Sequence, residues 1–330
     1  MKKTLIALAV LAASSASMAQ VTLYGVVDLA FGSTNAKDAA GNSNTNLAMR
    51  GNDQWNDGNS RWGIKSIEDL GSGLKFTAQF EQNINYETGA TTTASSRYAY
   101  GALSGNFGEV RFGRTLSPSF FGVAAWELTG AANFTAVGNM FAFAGGGSRN
   151  DSQLSYTTPN MGGFSATFGY VAEQDQAVAA GTPASGKYDM NAIYAQGPLA
   201  IGFSAWKLDK VAATASTDTN YSLGANYNFG GFILAGSFQD PAGQGQGWTL
   251  GARVPVGAWA FTVDVAQDTA YSQTNWLAYA GYSLSKRTTI YTNYQRYGKV
   301  GELTKPARAY TINNSGNDID LYGIGLRHNF

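Results

Sequence analysis

The sequence predicts an all-β protein: a 16-stranded antiparallel up-and-down transmembrane β-barrel whose third extracellular loop folds inward. Three observations predict it. Segments of about ten residues alternate apolar with polar or small side chains, which suits a strand with one face to lipid and one to water. The connections between them alternate short and long. Glycine is abundant (41), tyrosine and phenylalanine number 18 each, and proline is sparse (7), a composition that weakens helices and fits aromatic belts at two membrane interfaces.

The last strand is the plainest. Counting back by twos from the final residue gives Phe330, His328, Leu326, Ile324 and Tyr322, while Asn329, Arg327, Gly325 and Gly323 intervene. A soluble sandwich would alternate similarly, so the repetition along the chain decides the fold. The first strand is predicted at 21–31, with Leu23, Val27, Leu29 and Phe31 on one face and Thr22, Tyr24 and Asp28 on the other. The second is predicted at 61–67 and the third at 74–84, where Leu74, Phe76, Ala78 and Phe80 oppose Lys75, Thr77, Gln79 and Glu81. Alternation then places strands at 97–103, 109–114, 149–157, 164–171, 187–195, 199–208 and 220–229. The last six are expected at 232–239, 248–256, 259–267, 274–284, 288–297 and 319–330.

Short connections at 68–73, 104–108, 159–163, 196–198, 230–231, 257–258 and 285–287 are rich in the Gly, Pro, Asn and Ser of tight turns. Long ones at 32–60, 85–96, 115–148, 172–186, 209–219, 240–247, 268–273 and 298–318 all fall at the other end. No segment after the N-terminus approaches the roughly 18 apolar residues of a membrane helix. A membrane protein must then satisfy its backbone by closing a barrel. Sixteen strands enclose a lumen too wide for side chains to fill, which implies a water-filled channel for small polar solutes.

The N-terminus reads as a secretory signal. Met1-Lys2-Lys3 is the charged region, Leu5 to Ala13 the apolar stretch and Ser17-Met18-Ala19 the cleavage site. This divides the chain into a signal peptide, 1–19, and a barrel, 20–330. Cysteine is absent, which excludes disulfides and thiolate metal sites, and no cofactor is expected. Without Lys2 and Lys3 the chain carries 20 basic against 22 acidic residues, a net charge of −2. No basic run suggests a nucleic-acid partner.

Five residues are candidates for the pore constriction and its ion selectivity: Arg61, Arg97, Arg149, Glu81 and Glu127. The connection 115–148 carries Phe120, Phe121, Trp126, Phe134, Phe141 and Phe143, more aromatics than a solvated loop holds, and is expected to pack on the inner wall. Glu127 is its one acidic residue. The three arginines begin the second, fourth and sixth strands. With Trp62 and Ile64 outward, Arg61, Gly63 and Lys65 face the lumen; with Leu154 and Tyr156 outward, Arg149, Asp151 and Gln153 do; and Tyr98 and Tyr100 outward put Arg97 inside. Facing lipid, each arginine would cost roughly 2–4 kcal/mol near the midplane. In the lumen they either set the local field or merely pair with carboxylates such as Asp28, Glu81 or Asp151.

Other motifs carry less. The stretch from Gly181 to Tyr188 resembles a phosphate-binding loop, but Tyr188 replaces the needed Ser or Thr and no helix follows. Asp53 and Asp57-Gly58 suit a solvated acidic loop better than a cation site. A barrel hydrolase needs a catalytic histidine, whereas the sole one, His328, falls on the lipid-facing parity without a partner. An anchor or adhesin barrel would be narrower and filled. An energised receptor would need a plug domain ahead of the first strand, and no room exists for one.

Several motifs together resemble a general diffusion porin of the Gram-negative outer membrane, of the trimeric branch common in β-proteobacteria. They are Val21-Thr22-Leu23-Tyr24-Gly25, Ser60-Arg61-Trp62-Gly63-Ile64-Lys65, the run Glu68 to Lys75, Leu103-Ser104-Gly105-Asn106-Phe107-Gly108, the run Leu284 to Thr288 and the terminal Arg327-His328-Asn329-Phe330. The resemblance implies a homotrimer, an inward third loop and an arginine cluster at the constriction, carried here by Arg61, Arg97 and Arg149. Expected partners are outer-membrane lipid and lipopolysaccharide, the barrel-assembly machinery through the Phe330 strand, and small hydrophilic solutes and ions. The lumenal arginines favour anions, whereas the net charge and acidic loops favour cations at the mouth. The field at the narrowest point dominates, so weak anion preference is expected. The chain departs from the family pattern at Gly101-Ala102-Leu103 and at Asn329.

Overall fold

The computed structural model describes residues 20–37, 43–90, 96–141, 143, 147–172, 185–209, 219–241, 245–270, 272–298 and 318–330. The expected signal segment 1–19, the start of the Gly181–Tyr188 motif and most of the connection 298–318 lie outside these described residues.

The strands are β1 (Gln20–Lys37), β2 (Ser43–Arg50), β3 (Arg61–Gly71), β4 (Leu74–Asn83), β5 (Ser96–Gly105) and β6 (Gly108–Leu116). After two short helices come β7 (Arg149–Thr157), β8 (Phe164–Val171), β9 (Lys187–Gln196), β10 (Leu199–Leu208) and β11 (Asn220–Asn228). The sheet finishes with β12 (Ile233–Asp240), β13 (Gly247–Val256), β14 (Trp259–Asp268), β15 (Gln273–Ser283), β16 (Thr288–Tyr297) and β17 (Ile319–Asn329). Every pairing is antiparallel, all but those of β1 with β3 and β17 join chain neighbours, and β1 closes the cylinder on β17 from Val26↔Asn329 to Ala36↔Ile319. Phe330 completes the seam: its N–H donates to Gly25 O (3.0 Å), and Gly25 N–H donates to Phe330 O (3.1 Å). Closure leaves no sheet edge to be desolvated by lipid.

One strand was not expected. Within the connection 32–60, β1 runs on to Lys37 and β2 returns along it, Ala30↔Arg50 to Lys37↔Ser43. The lower half of the same β1 edge pairs with β3, Gln20↔Ile67 to Val26↔Arg61. Because β2 and β3 share one edge of β1, the hairpin lengthens the wall and the barrel remains 16-stranded.

The two faces sort as the alternation requires. Leu223, Leu250, Val263 and Ile324 are more than half exposed on the outer wall. Aromatics gather at both ends of that wall, with Trp259 against Phe261 (5.7 Å) and Tyr282 (4.8 Å) at the short-turn end and Tyr221 against Phe238 (6.4 Å) at the long-loop end. The inner face holds Asp28, Ser204, Asp264, Asn293 and Gln295, all buried.

The hydrophobic core is off-centre. The connection between β6 and β7 folds inward and carries α1 (Pro118–Ala124) and α2 (Ala136–Phe141). Its Trp126, Phe134, Val137, Met140 and Phe141 bury against Ala266, Leu277, Tyr291 and Tyr297 of the wall. Glycines let the loop approach. A Cβ at Gly202 would lie 1.9 Å from Gly122 O, and one at Gly224 would lie 2.2 Å from Trp126 Cε2.

Candidate pore constriction

The loop is held by polar ties from both of its halves. Ser117 caps α1 by accepting from Phe120 N–H (3.1 Å). Asp189 of β9 accepts from Ser119 N–H at 2.8 Å and pairs with Lys187 Nζ at 3.1 Å. Asn226 donates to Trp126 O (2.8 Å), Arg253 to Leu128 O (2.8 Å), and Asn139 to Tyr297 Oη (2.7 Å). The loop therefore crosses the lumen rather than covering the mouth, as its aromatics imply.

The loop's face opposite these ties leaves a passage of about 300 Å³ against β3, β5 and β7. Arg61, Arg97, Arg149 and Glu81 all line it. Arg97 Nε pairs with Glu81 Oε1 (2.5 Å) and Arg61 Nε with Glu81 Oε2 (3.5 Å). Tyr24 Oη also donates to Glu81 Oε2 (2.9 Å). Arg149 Nε donates to Arg97 O (3.0 Å), and its guanidinium lies 5.9 Å above the Tyr98 ring. Among the described residues Arg149 pairs with no carboxylate, so its charge is the least neutralised of the three.

Two registers beside the passage depart from the alternation. Glu81 pairs with Tyr98 and Gln82 with Ser96, which makes Arg97 the extra residue of a β-bulge. Tyr98 and Tyr100 consequently face the lumen, not lipid: Tyr98 lines the passage and Tyr100 Oη donates to Gln79 Oε1 (2.6 Å). Arg97 reaches the lumen through the bulge rather than by parity. A second irregularity, between Gly113↔Gln153 and Thr115↔Asn150, turns Asn150 inward beside Gln153 and Lys187. It leaves Asp151 exposed and paired with Arg114, not aimed down the pore with Arg149.

Glu127 does not reach the passage. It is buried and accepts from Thr129 N–H (2.9 Å), Ala131 N–H (2.7 Å) and Thr135 Oγ1 (2.8 Å), so it shapes the turn of the loop. The carboxylates Asp28 and Asp151, considered as arginine partners, are not used by the three arginines; Asp28 accepts from Tyr291 and Asn56.

The structure also brings in residues that the sequence read as a solvated acidic loop or did not single out. Segment 51–60 folds into the lumen instead of projecting outward. Asn293 donates to Trp55 O (2.8 Å), Gln295 to Gln54 O (2.9 Å), and Asn133 of the constriction loop to Asp53 O (3.0 Å). This delivers Asp57 and Asn59 to the passage, where Asp57 Oδ1 pairs with Arg327 NH1 (3.2 Å). The inward parity of Arg327 was legible in the last strand; the inward fold of segment 51–60 was not. The described lining thus carries four guanidinium groups against two carboxylates, an excess of two positive charges.

Burial pushes the Asp57 carboxyl up to about 6, against the opposing pull of Arg327. Asp28, Arg253, Tyr279 and Tyr291 also face it. The ionised form is disfavoured in the fold, so raising the pH from 3.8 to about 6 costs stability at this site. The same proton adds a positive charge to the passage as pH falls. Anion preference is therefore expected to rise about twofold between pH 7 and pH 5 after salt screening. Reversal potentials across that range check it, and Asp57→Asn should abolish the dependence.

This closed barrel, narrowed by an inward loop over a charged passage, is a diffusion pore in design. Residues 4–302 match the model of a family described as Gram-negative porin. The chain belongs to that family. It is 38% identical over its whole length to outer membrane porin protein 32 of Delftia acidovorans, all of which is covered. It is 27% identical, again end to end, to an outer membrane porin of Bordetella pertussis. An anion-selective porin from Comamonas acidovorans superposes with a TM-score of 0.76 at 29% identity, covering 95% of this chain and all of that one. The protein is an outer-membrane porin that passes ions and small hydrophilic solutes by passive diffusion. Proteins of this family are channels rather than enzymes.

Proposed function

We propose that this porin prefers anions and that Arg61, Arg97 and Arg149, balanced by Glu81, set the preference. The observation that carries the reading is the excess of guanidinium over carboxylate groups around one narrow passage. Small ions crossing there lie within a few ångströms of unscreened charge, where local field outweighs the net charge of the protein. The anion-selective relative is consistent with it. A planar-bilayer recording under a potassium chloride gradient tests it: the reversal potential should fall on the chloride side, and a value on the potassium side would refute it.

The working unit in this reading is a homotrimer, seen as conductance steps that close in threes. The segment Met1–Ala19 acts as a cleaved export signal, so the mature protein should begin Gln20-Val21-Thr22 by N-terminal sequencing. The outward, half-exposed Phe330 at the seam suits recognition by the barrel-assembly machinery. The apolar belt of the outer wall suits outer-membrane lipid and lipopolysaccharide.

A further inference from the structure

On the periplasmic side of the passage lies a second cavity of about 320 Å³. It shares Asp57, Gly130 and Arg327 with the first, so the two cavities adjoin. The strands that line it contribute their short-turn ends, with Arg253 near the close of β13, Ser283 at the end of β15 and Thr289 at the start of β16, and segment 51–60 and the constriction loop supply the rest. Arg253 is turned inward by the same alternation that puts Leu250 and Val254 outside.

Two guanidinium groups and four hydroxyl-bearing side chains, Thr129, Tyr279, Ser283 and Thr289, line this cavity; Thr129 Oγ1 is spent on Glu127 and Tyr279 Oη reaches Asp57 Oδ2 at 3.4 Å. Arg253 spends one N–H on Leu128 O, and Arg327 spends NH1 on Asp57. A guanidinium fork matches an oxyanion edge-on. The one acidic residue of the described lining is Asp57, and it already shares its charge with Arg327.

We propose that Arg253 and Arg327, with the hydroxyls of Tyr279, Ser283 and Thr289, form a second anion station that takes a small inorganic oxyanion such as phosphate. The inference rests on the anion preference proposed above and gives that preference a second stop. A pore that bound anions tightly at one place would trap them; two weaker stations in series pass an ion onward. Asp57 stands between the stations and keeps the second one weak at neutral pH by holding Arg327.

The test is chloride current through the mature protein inserted in one orientation in a planar bilayer, with inorganic phosphate added to one side at a time. Phosphate on the periplasmic side should depress the current at lower concentration than phosphate on the extracellular side. Arg253→Ser should weaken the periplasmic block about fivefold, and Arg253→Lys should restore most of it. Since Arg253 also ties the loop, a second variant, Ser283→Ala with Thr289→Val, keeps both charges and that tie; it too should weaken the block. Equal block from both sides, or a block unchanged in both variants, would overturn the station. The wild-type reversal potential in potassium chloride judges the anion preference separately, because it is read without phosphate.

Discussion

Replacing Arg61, Arg97 and Arg149 together with serine should move the reversal potential from the chloride to the potassium side. The described passage holds four guanidinium groups and two carboxylates; the triple variant leaves Arg327 facing Glu81 and Asp57, a net negative charge. A unit charge about 5 Å from an ion in water is worth roughly 0.8 kcal/mol before screening. Three such changes, reduced by salt, should alter the permeability ratio by about tenfold. The contributions are unequal. Arg61 and Arg97 both lean on Glu81, so removing them strips a buried carboxylate of its cationic partners, leaving it the Tyr24 hydroxyl, and costs stability. Among the described residues Arg149 hydrogen-bonds the Arg97 carbonyl and the Ser148 hydroxyl, lies over the Tyr98 ring and pairs with no carboxylate, so Arg149→Ser should shift selectivity with the least loss of stability. An unchanged reversal potential in the folded triple variant would remove these residues from the constriction.

The second large effect concerns the loop. Asp189→Ala removes the acceptor of Ser119 N–H and Oγ and the carboxylate partner of buried Lys187. Breaking a buried pair from one side costs about 3–5 kcal/mol, so the folded-to-unfolded transition in detergent should fall in temperature. Of its ties to β9 the start of the loop then keeps the one from Asn191 to Pro118 O, and conductance should rise with added open-channel noise. Gly224→Val acts at the opposite wall. Its side chain would occupy the Trp126 ring, displacing the loop without touching any charge. Both variants should conduct more and select less, because the arginines then face a wide lumen. A Gly224→Val protein with wild-type conductance would mean that the loop does not narrow the pore.

What the sequence revealed followed physical regularity. Period-two alternation is forced on every strand that separates lipid from water, so β3 to β17 emerged close to their true bounds. The aromatic density of 115–148 announced burial, and burial within a barrel means the lumen. The missed features lack such a period. The bulge at Arg97 leaves no mark in composition, so parity put Tyr98 and Tyr100 on the wrong face while still placing Arg97 correctly. The irregularity before Gln153 misplaced Asp151 in the same way. Strand β2 is rich in Asn and Ser, residues of low strand propensity, and pairs only because β1 offers a free edge. Glu127 read as a pore charge because it is the sole acid of its loop, but four donors within the loop bind it instead.

The absence of cysteine allows the most direct measurement. In Arg149→Cys the new thiol would be the sole one, open to charged thiol reagents applied during a bilayer recording. A negatively charged reagent should lower conductance in discrete steps and drive the reversal potential toward potassium; a positively charged one should restore the chloride preference. Complete labelling, verified by mass, with neither quantity changed would contradict the placement of Arg149 at the ion-selecting passage.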